Sequence, residues 1–280
     1  MPRIDELFQP SSKRRRSVDE KADDVSSQAP DSKLPKREAP DVSPAINVAL
    51  RRAIKKSPGL DLLYFKQFIT KSMAKEFMNW CLESLTWYKV QYKIRGIEVN
   101  TPRFTTVFGI DETNSPASFY RHQPRPIPMP LQILKAHIES ATGATYNFTL
   151  LNYYHDGTHS ITYHADDESF LGPNPSIASL TLGGTRDFLM KHKVDNSKKE
   201  KFILEDGDLL VMQGTTQKEW LHAVPKRATA APRINITFRK ATNVAGTNNY
   251  YKYNVGDGAS YHYINGKMVP STEVMGQKAL

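Results

Sequence analysis

Arg233-Ile234-Asn235-Ile236-Thr237-Phe238-Arg239 is the stretch on which the fold turns. Its side chains alternate strictly: Ile234, Ile236 and Phe238 fall on one face of an extended chain, and Arg233, Asn235, Thr237 and Arg239 on the other. Strict alternation is the signature of a β-strand. Upstream of it, between Tyr146 and Lys240, runs a series of short β-rich segments separated by Gly, Asn, Asp and Pro turns. They are Tyr146–Tyr154, Ser160–His164, Ser176–Leu182, Asp187–His192, Lys201–Leu204 and Asp208–Gln213. Many short strands with such spacing predict a β-sandwich or jelly roll. A strand with two arginines on an inward face needs an anion to pair them, because buried unpaired charge is costly. An ordinary amphipathic strand with its polar face in water is the alternative. The two arginines are six positions apart, roughly 20 Å along an extended chain, so they would serve different ends of one site.

Working outward, the N-terminal half carries helical signals. Leu60–Phe65 reads as a strand. Thr70 then caps a helix that carries Met73, Phe77, Trp80, Cys81 and Leu85 at helical spacing, which is a core stripe. Residues 87–110 read as strands broken at Pro102-Arg103, and Leu131–Thr142 as a helix stopped by Gly143. Between them, residues 114–130 form a Pro-rich loop too long for a mere connection, which marks it for function. The expected class is α+β: a double-stranded β-helix (jelly-roll) core of two sheets, with N-terminal helices packed on one face. The expected organisation is a disordered basic tail over 1–45, a catalytic domain over 58–240, and a Tyr- and Gly-rich extension over 241–280. That extension carries Tyr250, Tyr251, Tyr253, Tyr261 and Tyr263, with a hairpin turn at Asn265-Gly266.

Charge and cysteine content narrow the setting. Lys and Arg number 38 against 29 Asp and Glu, a formal +9. Residues 1–57 hold 13 basic and 9 acidic side chains, so they carry +4 and the remainder +5. The folded part is only moderately basic, and a nucleic-acid footprint there would be local. The tail composition cannot bury enough apolar surface to offset ordering. Its runs Lys13-Arg14-Arg15-Arg16 and Lys36-Arg37 suit nuclear targeting or a nucleic-acid-contacting arm. Cys81, the single cysteine, allows no intrachain disulfide and fits a reducing compartment. No apolar run is long enough to span a bilayer, so no membrane partner is expected. The nucleus is the expected location, with the cytoplasm as the alternative, and a monomer is the expected state.

Eight histidines are present, and metal chemistry depends on which can converge. His164 and Asp166, two apart on an expected strand, would point the same way. His222, 56 residues after Asp166 and just beyond an expected strand, supplies a third donor. Two histidines and one carboxylate leave positions of an octahedral iron(II) open for a cosubstrate and O₂. Closed tetrahedral zinc would want further ligands, and thiolates are lacking. His137 and Glu139, also two apart, sit on a helix and do not face each other. His155, His159 and His192 fall at turns or strand ends.

These residues, in this order, resemble the AlkB family of oxidative demethylases. The likeness rests on His164-x-Asp166, His222 and the Arg-x-Asn-x-Thr-x-Arg strand. It extends to Asn152-Tyr-Tyr154, Asp166-Asp-Glu168, Ala178–Phe188, Trp220–Pro225, Pro102-Arg103 and Val107-Phe-Gly109. The resemblance implies iron(II) held by His164, Asp166 and His222, with 2-oxoglutarate and O₂ as cosubstrates. Arg233 would pair the distal carboxylate of 2-oxoglutarate, Asn152 and Tyr154 would hydrogen-bond to it, and Asn235 and Thr237 would line its pocket. Arg239 would lie near the iron end and steady Asp166. Glu168 would face the exocyclic amine of a flipped base, with Arg103 also toward substrate and Phe119 or Tyr120 as the stacking aromatic. The implied reaction hydroxylates an N-alkyl group while 2-oxoglutarate becomes succinate and CO₂. The product then collapses to formaldehyde and the repaired base.

A base such as 1-methyladenine or 3-methylcytosine is cationic, cannot pair normally and is cheap to flip. Duplex-specialised relatives carry an apolar wedge before the Pro-Arg motif. Here Tyr92–Ile97 offers Arg95 near that point, which tilts the expectation toward single-stranded DNA or RNA. Two other readings stand beside this one: the same iron chemistry on a protein or small molecule, and a catalytically silent nucleic-acid-binding module.

Overall fold

The computed structural model describes residues 37–94, 97–110, 124–242 and 259–276, with positions 114, 116 and 118. The seven expected runs all form strands. β7 (Phe148–Tyr154), β9 (Ile177–Gly183), β12 (Leu209–Gln213) and β14 (Arg233–Arg239) lie in a ten-stranded sheet. β8 (Ile161–His164), β10 (Arg186–His192) and β11 (Lys199–Leu204) lie in a four-stranded one, together with β13 (Trp220–Val224). The order is β11-β10-β13-β8 in the smaller sheet, every pair antiparallel. In the larger sheet β14 sits between β9 and β7, with Arg233 opposite Gly183 on one side and Tyr154 on the other.

The larger sheet is widened at both ends. β1 (Arg51–Ile54) and β2 (Asp61–Phe65) extend it beyond β12. β6 (Phe104–Gly109), β3 (Trp87–Tyr88), β15 (Ser260–Ile264) and β16 (Lys267–Pro270) extend it beyond β7. β15 and β16 close through Asn265-Gly266, so that turn forms as expected. β4 (Gln91–Ile94) and β5 (Ile97–Asn100) make a separate hairpin, with the Pro102-Arg103 break between β5 and β6. Packing begins inside the tail expected to be disordered over 1–45: Val42 is fully buried, and β1, ahead of residue 58, pairs with β2.

Two helices cover one face of the large sheet. α1 (Lys71–Ser84) starts where Thr70 accepts a hydrogen bond from the Met73 N–H, as its side-chain chemistry predicts. α2 (Met129–Thr142) ends at Gly143 in a left-handed conformation. Phe77, Trp80 and Cys81 of α1, Leu134 and Ile138 of α2, and Leu180, Ile234, Ile236 and Phe238 of the sheet share one apolar cluster. A second cluster, including Phe148, Phe188, Met190, Leu210 and Trp220, fills the space between the sheets. β14 is therefore covered on both sides. Its isoleucines and Phe238 are fully buried against the helices, worth about 1.5–3 kcal/mol each. Its opposite face is buried too: Arg233, Thr237 and Arg239 are all under a tenth exposed. The polar face does not look into water, and the sandwich interior must accommodate it.

Candidate active site

Two corrections concern how the three donors are delivered. β8 ends at His164, so Asp166 is not on the strand; it lies in the irregular stretch that leads to a short 3-10 helix at Ser169–Leu171. His222, expected just past a strand, sits in the middle of β13, directly opposite His164. Trp220 and Val224 are buried on the same strand, but five residues are too few to show periodicity.

The expected trio nevertheless converges. Ligand atoms of His164, Asp166 and His222 all lie within 4.8 Å of one another. His164 Nε2 is 4.0 Å from Asp166 Oδ1, and His222 Nε2 is 3.9 Å from Asp166 Oδ2. His164 Nδ1 is occupied by the Thr162 carbonyl at 2.8 Å, which leaves Nε2 to face the centre. Burial, then the neighbouring His164, push His222 down to about 3, and burial also lowers His164. Neutral imidazoles are the form that ligates metal. Burial alone would raise the Asp166 carboxyl, but Arg239, His222 and His164 together outweigh it and hold it below the usual range. Arg239 Nη2 donates to Asp166 Oδ1 at 2.8 Å, so Oδ2 is the freer oxygen. This donor set fits iron(II): two neutral imidazoles and one ionised carboxylate on the inner wall of a sandwich, with no thiolate, since Cys81 is buried in α1.

Along the same face of β14 the chemistry changes to anion recognition. Arg233 is 1% exposed, and its Nε and Nη1 have no hydrogen-bond partner among the described residues. Nη2 donates to Thr181 Oγ1 at 2.9 Å. Tyr154 lies beside it, with its ring centroid 5.5 Å from the Arg233 Cζ. A buried guanidinium with its Nε and Nη1 left open is short of an acceptor anion, which a carboxylate supplies. The residues present therefore also fit the distal end of a 2-oxoglutarate molecule. Asn235 donates to Ser179 Oγ and the Leu180 carbonyl, and Thr237 Oγ1 to the Leu150 carbonyl.

Other expected residues are placed as follows. Asn152 Oδ1 accepts from Arg103 Nε at 2.9 Å and from Thr105 Oγ1 at 3.0 Å, so Asn152 holds the Arg103 side chain. Glu168 lies beside the trio: its Oε1 is 3.8 Å from Arg239 Nη1, and its buried Oε2 has no partner among the described residues. Burial raises its carboxyl to about 7, against the lowering effect of Arg239. Phe119, Tyr120 and Arg95 lie outside the described residues, as do positions 115, 117 and 119–123 of the Pro-rich loop. His159 does not join the trio; its Nδ1 accepts from the His155 N–H.

Sequence reading assigned no role to Arg186 or Gln217. Arg186 is 1% exposed, donates to the His159 and Pro225 carbonyls, and stands 5.5 Å from the same Tyr154 ring. Gln217, in α3 (Thr216–Glu219), accepts from the Asp166 N–H at 2.8 Å. Nothing in a single sequence signals either role, because both depend on which backbone groups the fold brings near.

Comparison with known proteins agrees with this geometry. The 2OG-Fe(II) oxygenase superfamily matches residues 61–239. The chain is 32% identical over 223 residues to DNA oxidative demethylase ALKBH2 of Homo sapiens, covering 74% of this chain and 83% of that one. Against ALKBH2 of Arabidopsis thaliana it is 32% identical over 220 residues, 69% and 70% of the two chains. Against alpha-ketoglutarate-dependent dioxygenase alkB homolog 3 of Mus musculus it is 38% identical over 175 residues, 58% and 60%. The solved structure of OsALKBH1 superposes with a TM-score of 0.50 at 21% identity, over 68% of this chain and 100% of that one, which speaks to fold alone. The chain belongs to the 2OG-Fe(II) oxygenase superfamily and, within it, to the AlkB-type dioxygenases, whose chemistry takes iron(II), 2-oxoglutarate and O₂.

Proposed function

We propose that this dioxygenase oxidatively demethylates N-alkylated bases, 1-methyladenine and 3-methylcytosine, in single-stranded DNA or RNA. The observation that carries the reading is Glu168, whose buried Oε2 stands without a partner among the described residues beside the His164, Asp166 and His222 cluster. A carboxylate there is an acceptor for an exocyclic amine and a countercharge for a cationic base, and neither a neutral apolar substrate nor a carboxylate substrate would suit it. The names of the relatives, DNA oxidative demethylases among them, support the same substrate class.

When bound, iron(II) with 2-oxoglutarate and O₂ supplies the oxidation. The protein does the positioning. His164, Asp166 and His222 would hold the ion, with Arg239 occupying Asp166 Oδ1 and so orienting the carboxylate. Arg233 would fork the distal carboxylate of 2-oxoglutarate, with Tyr154, Asn152, Asn235 and Thr237 around that molecule. Glu168 would orient the base so that its N-methyl group points at the reacting centre. The tail run Lys13–Arg16 supports a nuclear location, and the chain would work as a monomer.

The test is anaerobic reconstitution with iron(II) and 2-oxoglutarate, followed by air and a single-stranded oligonucleotide carrying 1-methyladenine. Formaldehyde and unmodified adenine, in step with succinate, are expected. Matched RNA and duplex substrates then rank the strand types. Succinate without demethylation would reject the base-repair reading and redirect it to a protein or small-molecule hydroxylase.

A further inference from the structure

We infer that Gln217 is a positioning residue for the iron centre, holding the Asp166 backbone in register with His222; the inference rests on the metal-site reading above. The reason lies in how the trio is delivered. His164 and His222 sit opposite each other on paired strands, which fixes their separation. Asp166 has no strand to hold it, because β8 stops two residues earlier. Its main chain must be placed by other means, and its buried N–H must find an acceptor.

That acceptor is Gln217 Oε1 at 2.8 Å, from a side chain in a residue 1% exposed. The other end of the amide is also held: Nε2 lies 3.3 Å from Met212 Sδ on β12. With the amide anchored at both ends, its oxygen has one place to be. Reversing it would set an N–H against the Asp166 N–H, so the hydrogen-bond network fixes the orientation. Gln217 is five residues before His222, on the short α3 that runs directly into β13. One side chain thus ties the carboxylate ligand to the segment that carries the second histidine. Outside this tie, Lys193 Nζ bridges the Gln217 carbonyl and Asp167 Oδ2, each at 2.9 Å, clamping the same two segments a second time. Arg239 governs the Asp166 carboxylate, whereas Gln217 governs the backbone from which it projects.

The experiment is anaerobic titration of the full chain with Co(II), reading affinity and the ligand-field spectrum, with the melting temperature of metal-free protein in parallel. Gln217→Leu, which keeps bulk and removes the acceptor, is expected to weaken Co(II) binding about 10- to 100-fold, the usual effect of removing a ligand's supporting group, and to alter the spectrum. Gln217→Glu still presents an oxygen to the Asp166 N–H, as a carboxylate or as the neutral acid, and is expected to restore affinity close to that of the unmutated protein. Wild-type binding and spectrum in Gln217→Leu would overturn the inference. So would Gln217→Glu as weak as Gln217→Leu, since that pattern marks packing alone. If Gln217→Leu does not fold, Met212→Leu takes its place: it frees the far end of the amide, weakened binding supports the tie, and unchanged binding overturns it. Asp166→Ala separates the two levels. Unchanged Co(II) binding in Asp166→Ala would sink the metal-site reading itself, whereas binding lost there and kept in Gln217→Leu would sink only the role of Gln217.

Discussion

Replacing Arg233 with methionine should make the ligand-free protein more stable while crippling its use of 2-oxoglutarate. Arg233 is 1% exposed, and burial pulls its guanidinium down to about 10. That is still well above neutral pH, so the charge persists at pH 7. Each pKa unit corresponds to about 1.4 kcal/mol, so the buried charge costs the empty fold about 3 kcal/mol. The charge-assisted hydrogen bond to Thr181 returns about 2 kcal/mol. Methionine fills a similar path without charge, so the metal- and cosubstrate-free protein should gain about 1 kcal/mol, roughly 3 °C in Tm for a domain of this size. Binding moves the other way. Truncating one partner of a buried charge pair costs about 2–5 kcal/mol, so the KM for 2-oxoglutarate should rise at least about 30-fold. Thermal melting without 2-oxoglutarate, paired with succinate formation across a 2-oxoglutarate series, reads both. A lowered Tm with an unchanged KM would refute the reasoning and make Arg233 a structural residue.

Other expectations follow from the same site. His164→Ala and His222→Ala should each abolish iron-dependent succinate formation, and retained turnover in either would remove it from the ligand set. Glu168→Ala should reduce base repair by more than it reduces turnover of 2-oxoglutarate uncoupled from substrate; the reverse order would show that Glu168 only supports Arg239. Gly184→Ala should raise the 2-oxoglutarate KM at a distance, because a Cβ there would meet the Ala231 carbonyl at 2.3 Å and displace the segment that delivers Arg233. An unchanged KM, measured in the same succinate assay, would show that the segment yields without moving Arg233. Burial holds His159 below its ordinary value, so the folded chain takes up that proton less readily than the unfolded one. Its contribution should be neutral above about pH 6.5 and destabilising as pH falls below it. His159→Gln should flatten that part of the stability profile, and an unaltered slope in urea melts at pH 5 to 7 would contradict this.

Much of the architecture was legible because its signals are local. Alternation in Arg233–Arg239, the turn residues between the short runs, Thr70 at the head of α1 and Gly143 at the foot of α2 each act over a few residues. The donors His164, Asp166 and His222 were legible as residue types in the resembling order, and the structure brings them within ligating distance of one another. The route by which two of them arrive was not. Asp166 was expected from a strand pleat and comes from an irregular stretch, and His222 was expected beyond a strand and comes from within β13. Short strands such as Trp220–Val224 carry too few residues for a period to emerge, and it is pairing with β10 and β8 that makes this one a strand.

By itself, the sequence determined a chain of many short strands, two capped helices, one polar-and-apolar strand and a set of metal-binding side chains. Whether the polar face of that strand meets water or protein lies beyond local pattern, since the alternation is the same in either case. The second sheet decides it: closing over Arg233, Thr237 and Arg239, it turns an amphipathic strand into the floor of a site, where a charge without a carboxylate calls for a ligand. The same closure places Gln217 under Asp166 across 51 residues of chain. Such contacts are set by which segments the sandwich stacks together, a property of the whole fold that no window of residues contains.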